Sequence, residues 1–180
     1  IDDIHGDSGS DFIDGAAGDD TIHSDDGNDE IHGGIGSDTL YGEIGQDVIE
    51  GGAGDDVING DGDDDQLFGG DGFDFIQGGT GNDLIHGNND DDEIYGGNGV
   101  DHIFGDAGID LLFGGSGADV IDGGGDDDEI QAGDGTDSVD GGAGSNLISL
   151  GADNDMLMFN YADHADSYNS VDGGSGSDTV

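Results

Sequence analysis

The chain has 180 residues, 46 of them acidic and none of them Lys or Arg, giving a formal net charge of −46. No salt bridge to a basic side chain can form, so a compact fold must draw its counter-charge from outside. Nucleic acid and direct insertion into an anionic membrane are excluded as modes of partnership, because both rely on Lys and Arg or on an apolar run of ~20 residues, and the absence of Cys removes disulfides and thiolate metal sites.

High net charge with few aromatics ordinarily reads as disorder. The order of the residues overturns that. Residues 1–5 carry the tail of a nine-residue unit, with Asp2 and Ile4 in phase. From Gly6 to Met158 the chain divides into 17 nonapeptides without an insertion, of which Gly51-Gly52-Ala53-Gly54-Asp55-Asp56-Val57-Ile58-Asn59 is representative. The sixth position reads Asp11, Asp20, Asp29, Asp38, Asp47, Asp56, Asp65, Asp74, Asp83, Asp92, Asp101, Asp110, Asp119, Asp128, Asp137, Asn146 and Asp155. The eighth is Ile, Leu or Val in every unit, from Ile13 to Leu157.

Glycine dominates the first and fourth positions, where a tight turn needs φ > 0 or close backbone approach. The three residues after the aspartate, one aliphatic between mostly polar neighbours, predict a very short strand with one residue inward and two outward. Such a strand cannot stand alone, so the units must stack as a solenoid with two nonapeptides, about 18 residues, and two turns per coil. The resulting rod is about 40 Å long, with a core of two facing ladders of Ile, Leu and Val. That core is thin against the entropy of ordering the backbone, and something positive must bind the folded form. Aspartates two nonapeptides apart stack on one edge, where two carboxylates and the carbonyls of the glycine turns make an all-oxygen site. An irregular, oxygen-only shell suits Ca²⁺ over Mg²⁺. Pairing each turn with the next but one predicts about 15 ions, or roughly +30 against the chain's −46.

The units resemble the G-G-x-G-x-D-x-(aliphatic)-x pattern of the repeats-in-toxin (RTX) family over nearly the whole chain. The resemblance implies an all-β, right-handed parallel β-roll. It implies calcium held by the sixth-position aspartates of turns n and n+2 with carbonyls of the turn glycines, here Gly33, Gly36, Gly51, Gly54, Gly69, Gly72, Gly78, Gly81, Gly96, Gly99, Gly114 and Gly117. It also implies type I secretion, with the chain unfolded in low cytosolic calcium and folding outside the cell. Three departures stand out. Asn146 lacks the charge, Leu150 replaces a first glycine, and Asp63, Asp90, Asp126 and Asp153 replace the fourth. Those four read either as turn variants offering their carbonyls or as extra carboxylate ligands.

The aliphatic spacing is nine up to Leu157, then 14 to Val171, then nine to Val180. Residues 1–158 therefore form the regular roll, 159–172 a long-turn interruption and 173–180 a resumed repeat. The interruption, rich in aromatics such as Phe159, Tyr161 and Tyr168, is either a loop folded back over apolar surface or a docking loop. Outward positions place His23, Tyr41, Tyr95 and Phe113 on one face and Phe68 and Phe104 on the other, either as tolerated strand residues or as rows for lateral packing. His5 and His23 stack two units apart, a metal pair with no evident third ligand. No zinc-protease, nucleophile-elbow or P-loop signature is present, so the segment is expected not to be an enzyme. The expected role is a calcium-stiffened structural segment of a longer secreted or cell-surface protein such as an adhesin, toxin or surface-layer protein. Self-association into fibres through exposed strand edges is a variant of that role. The alternative is the non-catalytic tail of a secreted hydrolase or epimerase.

Overall fold

The computed structural model describes residues 1–158 and 169–179. The three residues after each sixth-position aspartate alternate outward, inward, outward, and the inward one is the eighth-position aliphatic. Ile22, Ile31, Leu40, Ile49 and Ile58 are fully buried, as are their equivalents on to Ile130. Two such columns face each other and form one continuous apolar core.

Successive strands alternate between two parallel sheets. Among the described residues ten strands make the first, opening with Asp3–His5, Thr21–His23 and Thr39–Tyr41 and closing with Leu147–Ala152 and Ser170–Asp172. Nine make the second, from Phe12–Asp14 and Glu30–Ile35 to Met156–Met158. Partners lie two nonapeptides apart, as in Ile22 with Leu40 and Ile85 with Ile103. The protein is an all-β parallel solenoid with two nonapeptides per coil, as the repeat predicts. Among the described residues no helix is long and apolar enough to cross a membrane.

Two local expectations need correction. Many strands span six residues rather than three, among them Val57–Gly62 and Glu93–Asn98. The first three residues of the following turn keep the parallel register, with Gly97 opposite Gly115 and Asn98 opposite Ser116. They can do so because each turn sits directly over an identical turn, so its amides find carbonyls at the same spacing as those of the strand. The second correction concerns φ. Positive values fall at the second and fourth positions, as in Gly97 (114°) and Gly99 (138°), and not at the first. Asp63, Asp90, Asp126 and Asp153 take φ of 68–79° at the fourth position, the left-handed helical well that Asp tolerates. Their side chains are exposed and lie outside the buried aspartate column.

The interruption leaves the ladder intact. Ile148 pairs with Val171 across five more residues than the regular repeat allows, and Met156 bridges to Thr179. The two roles considered for the long turn fall on residues 159–168, outside the described residues. On the outer faces the rings stack on one another: His23 on Tyr41 at 4.6 Å, Tyr95 on Phe113 at 4.5 Å and His86 on Phe104 at 4.5 Å, all within 8° of parallel. Ring spacing matches the rise between coils, so each ring covers the face of the next.

Candidate metal centre

The sixth position lies where the turn re-enters the strand, so its side chain points under the turn and into the edge of the roll. From Asp20 to Asp155 every aspartate of the column is at most 3% exposed, and Asp11 is half-buried at the end of the stack. One carboxylate oxygen has a fixed task. Oδ1 of Asp83 accepts the backbone N–H of Asp65 at 2.9 Å, Oδ1 of Asp101 accepts that of Asp83 at 2.9 Å, and the ladder repeats along both edges. Each coil is thereby hung on the carboxylate of the next coil along the chain.

The other oxygen has nothing. Oδ2 of all sixteen aspartates in the column is buried without a hydrogen-bond partner. An ionised carboxylate oxygen held out of water without a partner is strongly destabilising. Burial pushes the carboxyl groups of Asp65, Asp92 and Asp128 up to about 8 and those of Asp74, Asp101 and Asp110 up to about 7. The accepted backbone N–H opposes the rise, and neighbouring carboxylates add to it.

What faces Oδ2 is another acceptor. A Cβ placed on Gly78 would lie 2.5 Å from Asp83 Oδ2 and 2.6 Å from the carbonyl oxygen of Gly96, one coil on. A Cβ on Gly33 would lie 2.6 Å from both Asp38 Oδ2 and the Gly51 carbonyl. The first-position glycine therefore keeps open a small cradle in which lone pairs from two successive coils converge. No donor is present to join them, so only a proton or a cation can. Calcium–oxygen distances are about 2.3–2.6 Å, and a hard cation is what a carboxylate–carbonyl set selects. The donor set fits calcium.

Of the glycines singled out in the sequence, the carbonyls of Gly33, Gly51, Gly69, Gly78, Gly96 and Gly114 all line such cradles. The fourth-position carbonyls of Gly36, Gly54, Gly81 and Gly99 point instead at the fourth position of the next coil. There they sit on the Oδ1 side, as the 3.1 Å from a Cβ on Gly117 to Asp119 Oδ1 indicates. No three carboxylate or imidazole side chains converge among the described residues, so each cradle relies on backbone oxygens. His5 and His23 stack at 4.9 Å, and their Nδ1 atoms face Asp25 at 3.6 Å and Glu43 at 3.0 Å, an arrangement of imidazole–carboxylate pairs.

Two sets of residues escaped the sequence reading. At the fifth position, Oδ1 of Asp55, Asp64 and Asp91 accepts the amides of Phe73, Asn82 and Ile109 at 3.1, 2.8 and 2.8 Å. The recurrence of Asp and Asn in that column was the available signal. Asn169 and Asp178 hold the sixth position beyond the interruption, accepting from Asn146 and Asp155 at 3.0 and 3.2 Å. Counting back two residues from Val171 and Val180 finds them.

A family model described as the RTX calcium-binding nonapeptide repeat (4 copies) matches residues 1–31, 32–67, 41–76, 68–103, 95–130 and 122–157. No curated protein matches the chain.

Proposed function

The chain belongs to the family of RTX calcium-binding nonapeptide repeats, and from that premise we propose that it is a calcium-folded structural segment of a secreted or cell-surface bacterial protein. The observation that carries this reading is the column of sixteen buried, unpartnered Oδ2 atoms. Such a column is tolerable only in a chain that folds where a divalent cation is abundant. In this reading Oδ2 of each sixth-position aspartate and the first-position carbonyl of the coil above hold the ion, on the order of 15 ions in all. Bound calcium neutralises carboxylates that burial would otherwise force to take up protons. The chain's own part is the scaffold: Oδ1 sets the coil spacing, glycine keeps the cradle open, and the aliphatic ladder excludes water behind it. At extracellular-type affinities of ~10⁻⁴–10⁻³ M the sites stay empty in a low-calcium cytosol and fill at millimolar calcium. The segment would then fold only after export. Its work is mechanical and not catalytic, and end-to-end stacking of rolls is a variant of the same role.

Far-UV circular dichroism tests the reading. The chelated protein should show a disordered spectrum, with a cooperative rise of β signal as calcium reaches millimolar levels. Magnesium at equal concentration should fail to substitute, because its small octahedral shell resists carbonyl-rich sites. A β spectrum that survives exhaustive chelation would falsify the proposal.

A further inference from the structure

One buried sixth-position side chain is not an aspartate, and its second terminal atom is not orphaned. Asn146 is 1% exposed. Its Oδ1 accepts the Asp128 N–H at 2.8 Å, the same rung that aspartate supplies elsewhere. That rung fixes which end of the carboxamide is oxygen, because a backbone N–H needs an acceptor. Nδ2 then occupies the place of Oδ2 and donates to the carbonyl of Gly141, the first residue of its own turn. Gly141 O is also the carbonyl that faces the Asp128 cradle: a Cβ on Gly123 would lie 2.6 Å from Asp128 Oδ2 and 2.8 Å from Gly141 O.

A second neutral donor acts on the first-position carbonyls of the opposite edge, near the other end of the roll. Ser24 stands at a first position, fully buried, and its Oγ donates to the Gly42 carbonyl at 2.7 Å. The turns flanking Asn146 also depart from glycine at the first position, with Ala132 and Leu150, and both join the apolar core. The next residue of the Asn146 edge, Asn169, repeats the neutral side chain and accepts the Asn146 N–H.

Resting on the calcium reading above, we infer that the Asn146 amide stands in for a cation. Its N–H hydrogens supply the positive end that calcium supplies elsewhere, close the turn 141–146 from within, and occupy the carbonyl that would complete the Asp128 site. The calcium column of this edge therefore stops short of the Asp128 cradle, and its last complete pairing is Asp110 Oδ2 with the Gly123 carbonyl.

Calcium stoichiometry by equilibrium dialysis on the folded chain tests this, with circular dichroism as the check on folding. Asn146→Asp should raise the number of ions bound per chain by about one, since it restores both an Oδ2 and the Gly141 carbonyl. The transplant in mid-array should work in the other direction. Asp92→Asn and Asp92→Ala remove the same charge, but Asn both keeps the Oδ1 rung to Asp74 and can donate to the Gly87 carbonyl, so its calcium midpoint should stay nearer the parent's. An unchanged stoichiometry in folded Asn146→Asp overturns the inference, as does an Asp92→Asn midpoint no better than that of Asp92→Ala. The Asp92 pair decides the matter if Asn146→Asp does not fold. A parent chain that binds no calcium would overturn the calcium reading itself, an outcome distinct from either.

Discussion

The two edges of the roll share one backbone and diverge in charge. Along one, the sixth position is aspartate from Asp11 through Asp155 to Asp178; along the other it is aspartate from Asp2 to Asp128, then Asn146 and Asn169. The hydrogen-bond ladder does not register the change. Asn146 accepts from Asp128 at 2.8 Å, and Asp155 accepts from Asp137 at 2.9 Å. Two roles of one side chain are thus separable: the first oxygen builds the coil and needs no charge, and the second creates the demand for a cation.

The largest expected effect falls on the backbone that both edges share. Gly99 has φ of 138°, a region closed to side chains, and a Cβ there would land on the Gly81 carbonyl oxygen. Gly99→Ala should cost about 3 kcal/mol and lower the thermal midpoint in saturating calcium. Gly99→Asp should cost less, because Asp63 and its three counterparts show the turn relaxing to φ near 70°. Equal losses for the two variants would mean that crowding, and not φ, sets the requirement.

Next come the carboxylates themselves. Asp83→Ala on the unbroken edge removes a rung and disturbs the sites shared with Asp65 and Asp101, for a loss of about 2–4 kcal/mol at millimolar calcium. Asp128→Ala, whose upper neighbour is Asn146, should lose roughly half as much. As a control, Asp55→Ala gives up one exposed hydrogen bond to Phe73, worth about 0.5 kcal/mol. Calcium titrations followed by circular dichroism would rank the three. If Asp55 and Asp83 shift the midpoint alike, bulk charge and not site geometry governs folding.

The smallest effect is on the cation-free chain. Carboxyl groups raised by burial, such as Asp65 to about 8 and Asp74 to about 7, favour the roll when protonated. Their contribution is full below the unfolded carboxyl range near 3.9, and it is lost as pH rises through roughly 6 to 8. Calcium-stripped protein taken from pH 8 to pH 5 should therefore gain β signal, most of it from the edges' interior coils. A flat titration would show that the unpartnered oxygens are not the main obstacle to folding.

Much of this was legible in the residues. A strict period of nine with one inward aliphatic admits a parallel stack of two-repeat coils and little else, because no other arrangement buries the eighth position of every unit. The aspartate column and the absence of any basic residue announced a hard external cation. What the linear pattern could not settle was which atoms do what. Glycine at the first and fourth positions looked alike on paper, yet the first keeps room beside Oδ2 while the fourth meets a backbone φ that only glycine adopts freely. Asn146 read only as a sixth position without the charge, and its orientation against Gly141 makes it a donor. Periodicity fixes which residues share an edge, since stacking depends on spacing alone. The division of one carboxylate into a structural and a cation-seeking oxygen depends on distances between coils, and those exist only once the chain has closed on itself.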